Sequence, residues 1–397
     1  MKSKVLAILM SLCLIILSAP VYAGPDDYVH EEANKIYKKT NLEELMAKSA
    51  ILMDVDSGRI LFQKNEDEKL PIASVTKIMT IMLTLEAIDS GKIKLEDKVT
   101  VSEDAEAMGG SEVYLKAGEM FTVNELLKAI IVHSANDVCV AMAEFLAGSE
   151  SIFVEQMNKK AKDLGMLNTN YLDCTGLTDE GHYSSAHDIG ILSRELLTKH
   201  PKVMDYTKIW MDTFRNGTFR LDNTNKMVKY YAGTTGLKTG FTTKAGYCVA
   251  VSAKHEDTHL LSIVLGEPDS NTRFAEIRKL LDHGFANFKK VEILKKGEEV
   301  GSVVVDKGKS SFVKVVTKDN LSMMLSSDEQ GKVKKETAIN SPITAPVTMG
   351  AKVGDMIVKI DGQDMAKVEL ISNQSVEKAS VFLLLIRKIA SWFGIVL

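Results

Sequence analysis

The sequence contains little proline and little cysteine, and it has no excess of positive charge. Seven prolines and 26 glycines among 397 residues exclude a collagen-like or proline-rich chain. The formal net charge of −4 argues against nucleic acid as the main partner, because phosphate binding needs a basic surface. Hydrophobic residues make up 45% and charged residues 26% of the chain, which excludes disorder as the dominant state and favours a globular protein of two or three domains.

The four cysteines follow no pattern that is typical of a disulfide framework or a cysteine-rich zinc site. Cys13 lies in the N-terminal apolar run, and the other three are widely spaced at Cys139, Cys174 and Cys248. Buried free thiols are therefore the favoured interpretation. The eight histidines are scattered along the chain, and we expect neither a metal nor a cofactor.

The N-terminus is typical of a secretory signal. Two lysines precede a short apolar run, Val5 to Leu17, and Val21 and Ala23 fit the small-residue positions before a cleavage site. We expect residues 1–23 to be a signal peptide and residues 24–45 a polar leader. The alternative is an uncleaved anchor, although the run is short for a membrane-spanning helix.

The C-terminal segment, residues 376–397, predicts an amphipathic helix that lies on a membrane surface. Its polar members recur at three- and four-residue steps: Glu377, Ser380, Arg387, Lys388 and Ser391. Two central cations oppose spanning of the bilayer, whereas a polar stripe beside a Trp favours the interface. The alternative is a helix that packs on the protein's own core. The two ends together predict an exported protein held peripherally at the outer face of the cytoplasmic membrane.

Between the ends, the order of patterns predicts a catalytic unit over residues 46–290. Residues 50–62 indicate a β-hairpin, and residues 73–208 are mainly helical, with a capping box at Thr122 and Glu125. Strands return over 236–267, and a helix is predicted from Ser270 to Lys290. Strands, then helices, then strands and a helix indicate an α/β (α+β) unit with helices on an antiparallel sheet. Short alternating runs with turn residues predict a small all-β domain over residues 291–375.

The first chemical motif is Ser74-x-x-Lys77, at the start of a predicted helix. That spacing places the two side chains one turn apart on the same face. A serine hydroxyl needs a neighbouring base, and a lysine desolvated by apolar residues is able to act as one. The motif has little weight alone, because two other such tetrads occur at 311–314 and 375–378. We interpret those two as solvated polar faces.

The second motif is Ser134-Ala-Asn136, in a tight link between two helical runs. A Ser and an Asn two residues apart on a turn are able to face one cleft. Ser134 would then relay a proton, and Asn136 would hold Lys77 and a substrate amide. The alternative is simple capping, in which Asn136 or Asp137 starts the next helix.

The third motif is Lys238-Thr239-Gly240, in a predicted strand. Alternation along a strand puts Lys238 and Gly240 on one face and Thr239 on the other. Gly240 permits close approach of a substrate backbone, and Lys238 supplies positive charge for a carboxylate. The alternative is an exposed edge lysine that serves solubility.

The three motifs occur in the order typical of penicillin-binding proteins and serine β-lactamases. More narrowly, the chain resembles the low-molecular-mass D-alanyl-D-alanine carboxypeptidases, and the likeness extends over about residues 40–375 and the amphipathic tail. It also covers the neighbourhoods of the motifs, for example 184–188 and 245–248. The Thr-Asn-Lys form at 224–226 is similar to that of the sporulation-associated members. The resemblance implies a penicillin-binding/β-lactamase-like transpeptidase fold, with an antiparallel sheet flanked by helices and a cleft at the sheet edge.

The resemblance also implies a role for each motif residue. Ser74 would be the nucleophile and Lys77 its general base. Backbone N–H groups of Ser74 and Phe241 would form the oxyanion hole. The implied catalytic residues are Ser74, Lys77 and Ser134, and the implied substrate-binding residues are Asn136, Lys238, Thr239, Gly240 and Phe241. The stretch 223–226 lacks an arginine that some members use for the carboxylate, which leaves Lys238 and Thr239 as the expected anchors.

The implied activity is hydrolysis of the terminal D-Ala–D-Ala bond of peptidoglycan stem peptides, with β-lactams as covalent inhibitors. One alternative is a serine β-lactamase. Class A enzymes use a Glu with an Asn four residues on, and neither Glu155 nor Glu180 has one. A second alternative is a non-catalytic penicillin-binding or cell-wall sensor, which would need a damaged set of motifs.

Overall fold

The computed structural model describes residues 42–178 and 180–392. The predicted signal, nearly all of the predicted leader and the last five residues of the tail lie outside these ranges. The chain divides into two units, Met1–Glu44 and Leu45–Leu397. Of the first, only a 3-10 turn, Leu42–Glu44, is described.

The second unit contains all of the strands and α-helices among the described residues. The strands are β1 (Ser49–Asp54), β2 (Ile60–Lys64), β3 (Lys98–Thr100), β4 (Met120–Thr122), β5 (Met211–Phe214), β6 (Phe219–Asp222), β7 (Thr234–Thr242), β8 (Gly246–His255), β9 (Thr258–Glu267), β10 (Phe288–Leu294), β11 (Glu299–Asp306), β12 (Phe312–Thr317), β13 (Leu321–Ser326), β14 (Val333–Ile339), β15 (Ile343–Thr344), β16 (Lys352–Ile360) and β17 (Gln363–Ser372). The helices are α1 (Lys77–Asp89), α2 (Glu103–Glu106), α3 (Val123–Lys128), α4 (Asn136–Ala147), α5 (Glu150–Asp163), α6 (Ala186–Lys199), α7 (Val203–Thr207), α8 (Met227–Tyr230), α9 (Ser270–Asn287), α10 (Ser327–Gln330) and α11 (Val381–Trp392).

The central sheet is antiparallel, with the strand order β2-β1-β9-β8-β7. Helices cover both of its faces. In α6, Gly190 lies against Ile51 and Met53, whereas Gly284 in α9 lies against Leu52. Because successive strand residues point to opposite faces, these two helices pack on opposite sides of β1. The predicted hairpin and the predicted fold class are thus confirmed, and β7 is left at an edge of the sheet.

Helix α1 runs through the interior of the catalytic unit and is buried on most of its surface. Ile78, Met79 and Met82 are among its fully buried side chains. A helix that is apolar nearly all round is typical of a position inside the core. Its first residue, Lys77, is therefore removed from water by its own helix neighbours.

The predicted helix from Ser270 to Lys290 is too long by three residues. Helix α9 ends at Asn287, because Phe288 turns to an extended conformation and begins β10. Strand β10 pairs with β13, and this pairing overrides any local helix preference of Lys289 and Lys290. The expected domain boundary at 290–291 falls inside β10.

The domain before α11 is built almost entirely of strands, as predicted, with one short helix, α10, between β13 and β14. One sheet has the order β14-β16-β17-β12-β11-β15, and β10 and β13 form a separate pair. Its core is distinct from that of the catalytic unit and contains Val303, Val313, Val315, Val358 and Leu370. Strand β11 alternates between exposed and buried positions, as expected for a strand with one solvated face.

The terminal helix begins later than the predicted residue 376. Val376 is buried and forms a β-bridge with Val347, and Lys378 forms another with Gly308. These pairings hold 376–379 extended against the β domain, so that α11 starts only at Val381. Within residues 42–178 and 180–392, no helix has the length and apolar character needed to cross a membrane.

Candidate active site

The turn that carries Ser74 is a 3-10 turn, Ala73–Thr76, which leads directly into α1. Ala73 adopts a φ of +47°, a left-handed conformation that is unfavourable for a residue with a side chain. The predicted α-helical start is thus a tighter turn, yet Ser74 and Lys77 still face each other. Lys77 Nζ lies 2.7 Å from Ser74 Oγ, within hydrogen-bond distance.

Lys77 is buried, and its second hydrogen bond goes to the main chain. Nζ donates to the carbonyl oxygen of Thr175 at 2.8 Å. Burial lowers the pKa of Lys77, although nearby acidic groups such as Asp173 oppose the shift. The amine is therefore easier to deprotonate than an ordinary lysine, which a general base requires.

Ser134 occupies the end of an irregular helical segment. A π-helical turn, Ala129–His133, follows α3, and Ser134 ends it with a φ of +67°. This conformation directs its hydroxyl to the cleft, where Oγ accepts a hydrogen bond of 2.8 Å from Lys238 Nζ. The structure thus joins the second and third motifs directly.

Asn136 is the first residue of α4, as the capping alternative expects, but no side chain of the second motif caps this helix. The N-cap of α4 is Ala135, which has no side-chain oxygen to offer. Asp137 accepts hydrogen bonds from the N–H groups of Val113 and Leu115, and so anchors a neighbouring loop. Asn136 Nδ2 donates to the carbonyl of Gly109 at 2.7 Å.

The expected contact between Asn136 and Lys77 is not formed. Asn136 Oδ1 is buried and has no hydrogen-bond partner among the described residues. Lys77 donates instead to the carbonyl of Thr175, a main-chain acceptor that takes the place expected for the amide. Asn136 Oδ1 is consequently an unused acceptor two residues from Ser134.

The third motif lies on β7, and Lys238 is buried rather than exposed at the edge. Its Nζ donates to Ser134 Oγ and to the carbonyl of Thr239 at 3.0 Å. Burial, followed by repulsion from Lys77, lowers the pKa of Lys238 well below its usual value. Thr239 Oγ1 donates to Thr224 Oγ1 at 2.7 Å. The exposed-lysine alternative is therefore wrong.

Gly240 brings β7 against the nucleophile turn. A Cβ atom at this position would lie 2.6 Å from the carbonyl oxygen of Ile72 and 3.0 Å from the backbone nitrogen of Ser74. Only a residue without a side chain permits this approach. Phe241 follows on the strand, with its ring exposed and packed 4.3 Å from that of Tyr247.

The other two Ser-x-x-Lys tetrads lie on the surface of the β domain. Lys314 is exposed and pairs with Glu299 at 2.8 Å. Ser375 is exposed and accepts a hydrogen bond from the N–H of Met349. Their interpretation as solvated faces is confirmed.

Sequence reasoning missed Arg273, which lies behind the third motif. It is buried on α9, and Nη1 donates to the carbonyls of Gly240 at 3.2 Å and Cys248 at 3.3 Å. Burial lowers the pKa of Arg273 to about 10, so the guanidinium remains charged at neutral pH. No local motif marks this residue, and only the packing of α9 on the sheet brings it beside β7.

A further spacing in the sequence, at residues 255–259, matches the His-Glu-x-x-His pattern of zinc peptidases, which need it on a helix. Here it spans the turn between β8 and β9. His255 stacks on Phe285 at 4.0 Å, and His259 bonds with Thr235 Oγ1. No group of three or more potential ligands for a metal occurs among the described residues.

The three described cysteines, Cys139, Cys174 and Cys248, are free and buried, as predicted. Burial raises the pKa of the Cys139 thiol to about 12 and that of Cys248 to about 11. Such thiols are poor nucleophiles, because the reactive form is the thiolate. These thiols therefore offer no alternative to Ser74, which stays the predicted nucleophile.

Comparison with known proteins identifies the family of this chain. A family model for D-alanyl-D-alanine carboxypeptidases matches residues 35–269, and one for the C-terminal domain of penicillin-binding protein 5 matches residues 288–378. The chain is 39% identical over 396 residues to the D-alanyl-D-alanine carboxypeptidase DacF of Bacillus subtilis, covering 99% of each chain.

Solved structures give the same result. Penicillin-binding protein 5 from Haemophilus influenzae superposes with a TM-score of 0.77 at 31% identity, over 86% of this chain and all of that one. Penicillin-binding protein D2 from Listeria monocytogenes, in its ampicillin-bound form, superposes with a TM-score of 0.57 at 33% identity, over 62% of this chain and all of that one. The chain belongs to the S11 family of serine-type D-alanyl-D-alanine carboxypeptidases.

Proposed function

We propose that Ser74 and Lys77 carry out the family's reaction in this chain, hydrolysis of the terminal D-alanyl-D-alanine bond of peptidoglycan stem peptides. The observation that carries this assignment is the 2.7 Å contact between Ser74 Oγ and the buried amine of Lys77. Ser74 Oγ attacks the carbonyl carbon of the penultimate D-Ala while its proton passes to Lys77 Nζ. Water then cleaves the resulting ester and frees Ser74.

Ser134 is the proposed route by which the leaving amine receives its proton. Its hydroxyl lies between the cleft and Lys238 Nζ, at 2.8 Å from the latter. A hydroxyl both donates and accepts, so Ser134 is able to pass a proton to the departing D-Ala nitrogen and regain one from a lysine. The unused Oδ1 of Asn136 is the proposed acceptor for a substrate amide N–H.

The terminal carboxylate of the substrate is proposed to bind at Lys238 and Thr239. Lys238 is buried, so that a carboxylate beside it favours the charged form of its amine and attracts it with little screening by water. Arg273 adds a fixed positive charge behind Gly240. The developing oxyanion would be stabilised by the backbone N–H groups of Ser74 and Phe241, which the close approach at Gly240 brings to one side of the cleft.

The same features favour a carboxypeptidase over the two alternatives. The β domain matches that of penicillin-binding protein 5, which is unexpected for a β-lactamase. A sensor without activity would have lost the contacts of Ser74, Lys77 or Ser134, and all of them are present. Peptidoglycan lies outside the cytoplasm, so the enzyme acts there.

The direct test is mass spectrometry of the protein after exposure to a β-lactam, followed by an assay of D-Ala release. A single adduct on the peptide that contains Ser74, together with release of D-Ala from a pentapeptide, is expected. An adduct on the peptide that contains Ser311 or Ser375 would overturn the assignment of the nucleophile. Turnover of the drug without release of D-Ala would favour a β-lactamase.

We further propose that α11 holds the enzyme at the membrane surface. Its exposed apolar side chains form one face: Val381, Phe382, Leu385, Ile386, Ile389 and Trp392. Arg387, one of the polar residues of the predicted helix, donates to the carbonyls of Gly308 and Lys309, both at 2.8 Å. It docks the helix on the β domain and leaves the apolar face outward.

The test of this placement is sedimentation with anionic lipid vesicles. A chain that ends after Ser380 keeps the bridges of 376–379 and should lose vesicle binding while D-Ala release is unchanged. A matched full-length variant, Phe382→Ser with Trp392→Ser, should weaken binding without removing the helix. Vesicle binding by the shortened chain would contradict the proposal.

A further inference from the structure

The carbonyl of Thr175 has a special position, because it accepts a hydrogen bond from the amine that is proposed as the general base. A neutral amine has two N–H donors and one lone pair. When one N–H points to the carbonyl of Thr175, the lone pair is free to face Ser74 Oγ, the other atom within hydrogen-bond distance of Lys77 Nζ. The position of this carbonyl thus determines whether the lone pair of Lys77 points at Ser74 Oγ.

The loop that carries Thr175 is built around the carboxylate of Asp173. Oδ1 accepts hydrogen bonds from the backbone N–H and the hydroxyl of Thr175, each at 2.7 Å, and from the N–H of Gly176. Oδ2 accepts from the N–H of Thr178 at 2.9 Å. Burial disfavours the charge, but His182 and these hydrogen bonds outweigh it and hold the pKa of Asp173 at about 2. The carboxylate remains ionised throughout the working range of pH.

A histidine links this loop to the turn of the nucleophile. His182 is buried, and its Nδ1 accepts a hydrogen bond from the N–H of Leu172 at 3.2 Å. Nδ1 also lies 3.6 Å from Asp173 Oδ2, and Nε2 lies 2.8 Å from Thr76 Oγ1. Thr76 directly precedes Lys77 in the chain. Gly176, at a φ of +85°, lies so near the main chain of Ala73 that a Cβ atom would overlap its carbonyl oxygen. The loop and the turn are therefore fixed to each other from two directions.

We propose that Asp173 and His182 are positioning residues for the reaction, which hold the carbonyl of Thr175 where it orients the amine of Lys77 toward Ser74. The inference rests on the proposed role of Lys77 as the base. Neither side chain is required to touch substrate. Both act through the main chain of the 173–178 loop, which no motif of the sequence marks.

The test measures the second-order rate constant of acylation by a β-lactam for each variant, per active site as titrated by the same label. Asp173→Ala removes all four hydrogen bonds and should lower the rate constant by about 10- to 100-fold. Asp173→Asn keeps an oxygen for the three contacts of Oδ1 and should restore part of the loss. Thr76→Val cuts the His182 contact without changing side-chain size and should cost about fivefold.

The pH profile separates an effect of Asp173 on Lys77 from a loss of folded protein. The ionisable groups whose charges act on Lys77 or on its neighbour Lys238 are Asp137, Cys139, Asp173, Cys174 and Arg273. Asp173 is the one that changes in the Asn variant, and its negative charge raises the pKa of Lys77. Its loss should move the acid-side fall in acylation to lower pH, while simple unfolding would reduce the number of active sites and leave the profile in place.

A matched control is the exposed pair of Asp67 and His187, whose nitrogen and oxygen lie 3.3 Å apart on the surface. Asp67→Asn should change neither the rate constant nor the profile. Wild-type rate constants and profiles in both Asp173→Asn and Thr76→Val would overturn the proposal. Acylation by Lys77→Arg at the wild-type rate would instead overturn the proposed base, so that the two failures are distinguishable.

Discussion

The catalytic unit and the β domain differ in whether they bury charged side chains. The catalytic unit buries Lys77, Lys238 and Arg273 completely or nearly so. Among the described residues after 290, the buried polar side chains are Thr317 and Ser372, and neither is ionisable. Charged residues of the β domain pair across strands at the surface instead. Burying a charge is costly. The concentration of buried charged side chains in one region therefore indicates where the chemistry takes place.

The same contrast separates the three Ser-x-x-Lys tetrads. In the catalytic unit, the lysine is desolvated by α1 and points at the serine. In the β domain, Lys314 is solvated and its amine is paired with the carboxylate of Glu299. Identical spacing thus has different chemical meaning, because the surroundings determine whether the lysine is able to accept a proton.

The largest effect that tests this contrast is expected from Ser74→Ala. Loss of the hydroxyl removes the bond-forming atom, and D-Ala release and covalent β-lactam labelling should both fall below detection. Mass spectrometry of the labelled protein measures the second effect. Ser311→Ala and Ser375→Ala are the matched controls and should label like the wild type. Covalent β-lactam labelling of the Ser74→Ala protein would contradict the distinction between this tetrad and the other two.

Lys77→Arg should lower acylation by about 10²- to 10⁴-fold, the usual contribution of a general base. Arginine keeps the positive charge but is not deprotonated in a protein. For the wild type, the lowered pKa of Lys77 means that the rate falls as the pH drops through that pKa and the amine becomes charged. Stopped-flow acylation across a pH series measures both effects. Lys314→Arg, the same change in the β domain, should leave the rate unaltered.

Lys238→Gln should lower kcat/KM for the carboxypeptidase reaction by about 30-fold to several thousand-fold. The substrate carboxylate would lose a buried partner, which costs about 2–5 kcal/mol. Penicillin acylation should slow as well, because the drug carries the matching carboxylate.

A peptide substrate amidated at its C-terminus is the control for Lys238. The wild type should process the amide poorly, and Lys238→Gln should lose little more on it. An equal loss on acid and amide substrates would mean that Lys238 supports the cleft and does not read the carboxylate.

The smallest effect is expected from Lys314→Ala in the β domain. An exposed ion pair contributes less than about 0.5 kcal/mol, because water screens it. The midpoint temperature of thermal unfolding should change by about a degree or two at most, and D-Ala release should be unchanged. A large loss of activity would show that charges of the β domain matter to the site and would remove the contrast between the two regions.

The sequence was sufficient for the parts of the site that depend on local spacing. Ser74 and Lys77 face each other because three residues make one turn, and Lys238 and Gly240 share a face because a strand alternates. The fold class followed from the order of strand and helix patterns together with the family resemblance. The roles of the individual site residues remain predictions.

What the sequence did not reveal depends on contacts between distant segments. The carbonyl of Thr175 is a main-chain group, and no residue type encodes where it lies. Arg273 reaches β7 only because α9 packs on the sheet. The end of α9 at Asn287 and the late start of α11 at Val381 follow from strand pairing and β-bridges, which override local helix preference.

The two glycines that flank the nucleophile turn limit how this enzyme can evolve under antibiotic selection. Gly176 meets the main chain of Ala73 on one side, and Gly240 meets the main chain of Ile72 and Ser74 on the other. A side chain at either position would collide with backbone, which cannot move aside as a flexible side chain does. Neither position therefore tolerates a mutation that would reshape the pocket to exclude a bulky drug. Selection for drug tolerance would act instead on the exposed rim, for example at Phe241, where side chains exchange at little cost to the fold.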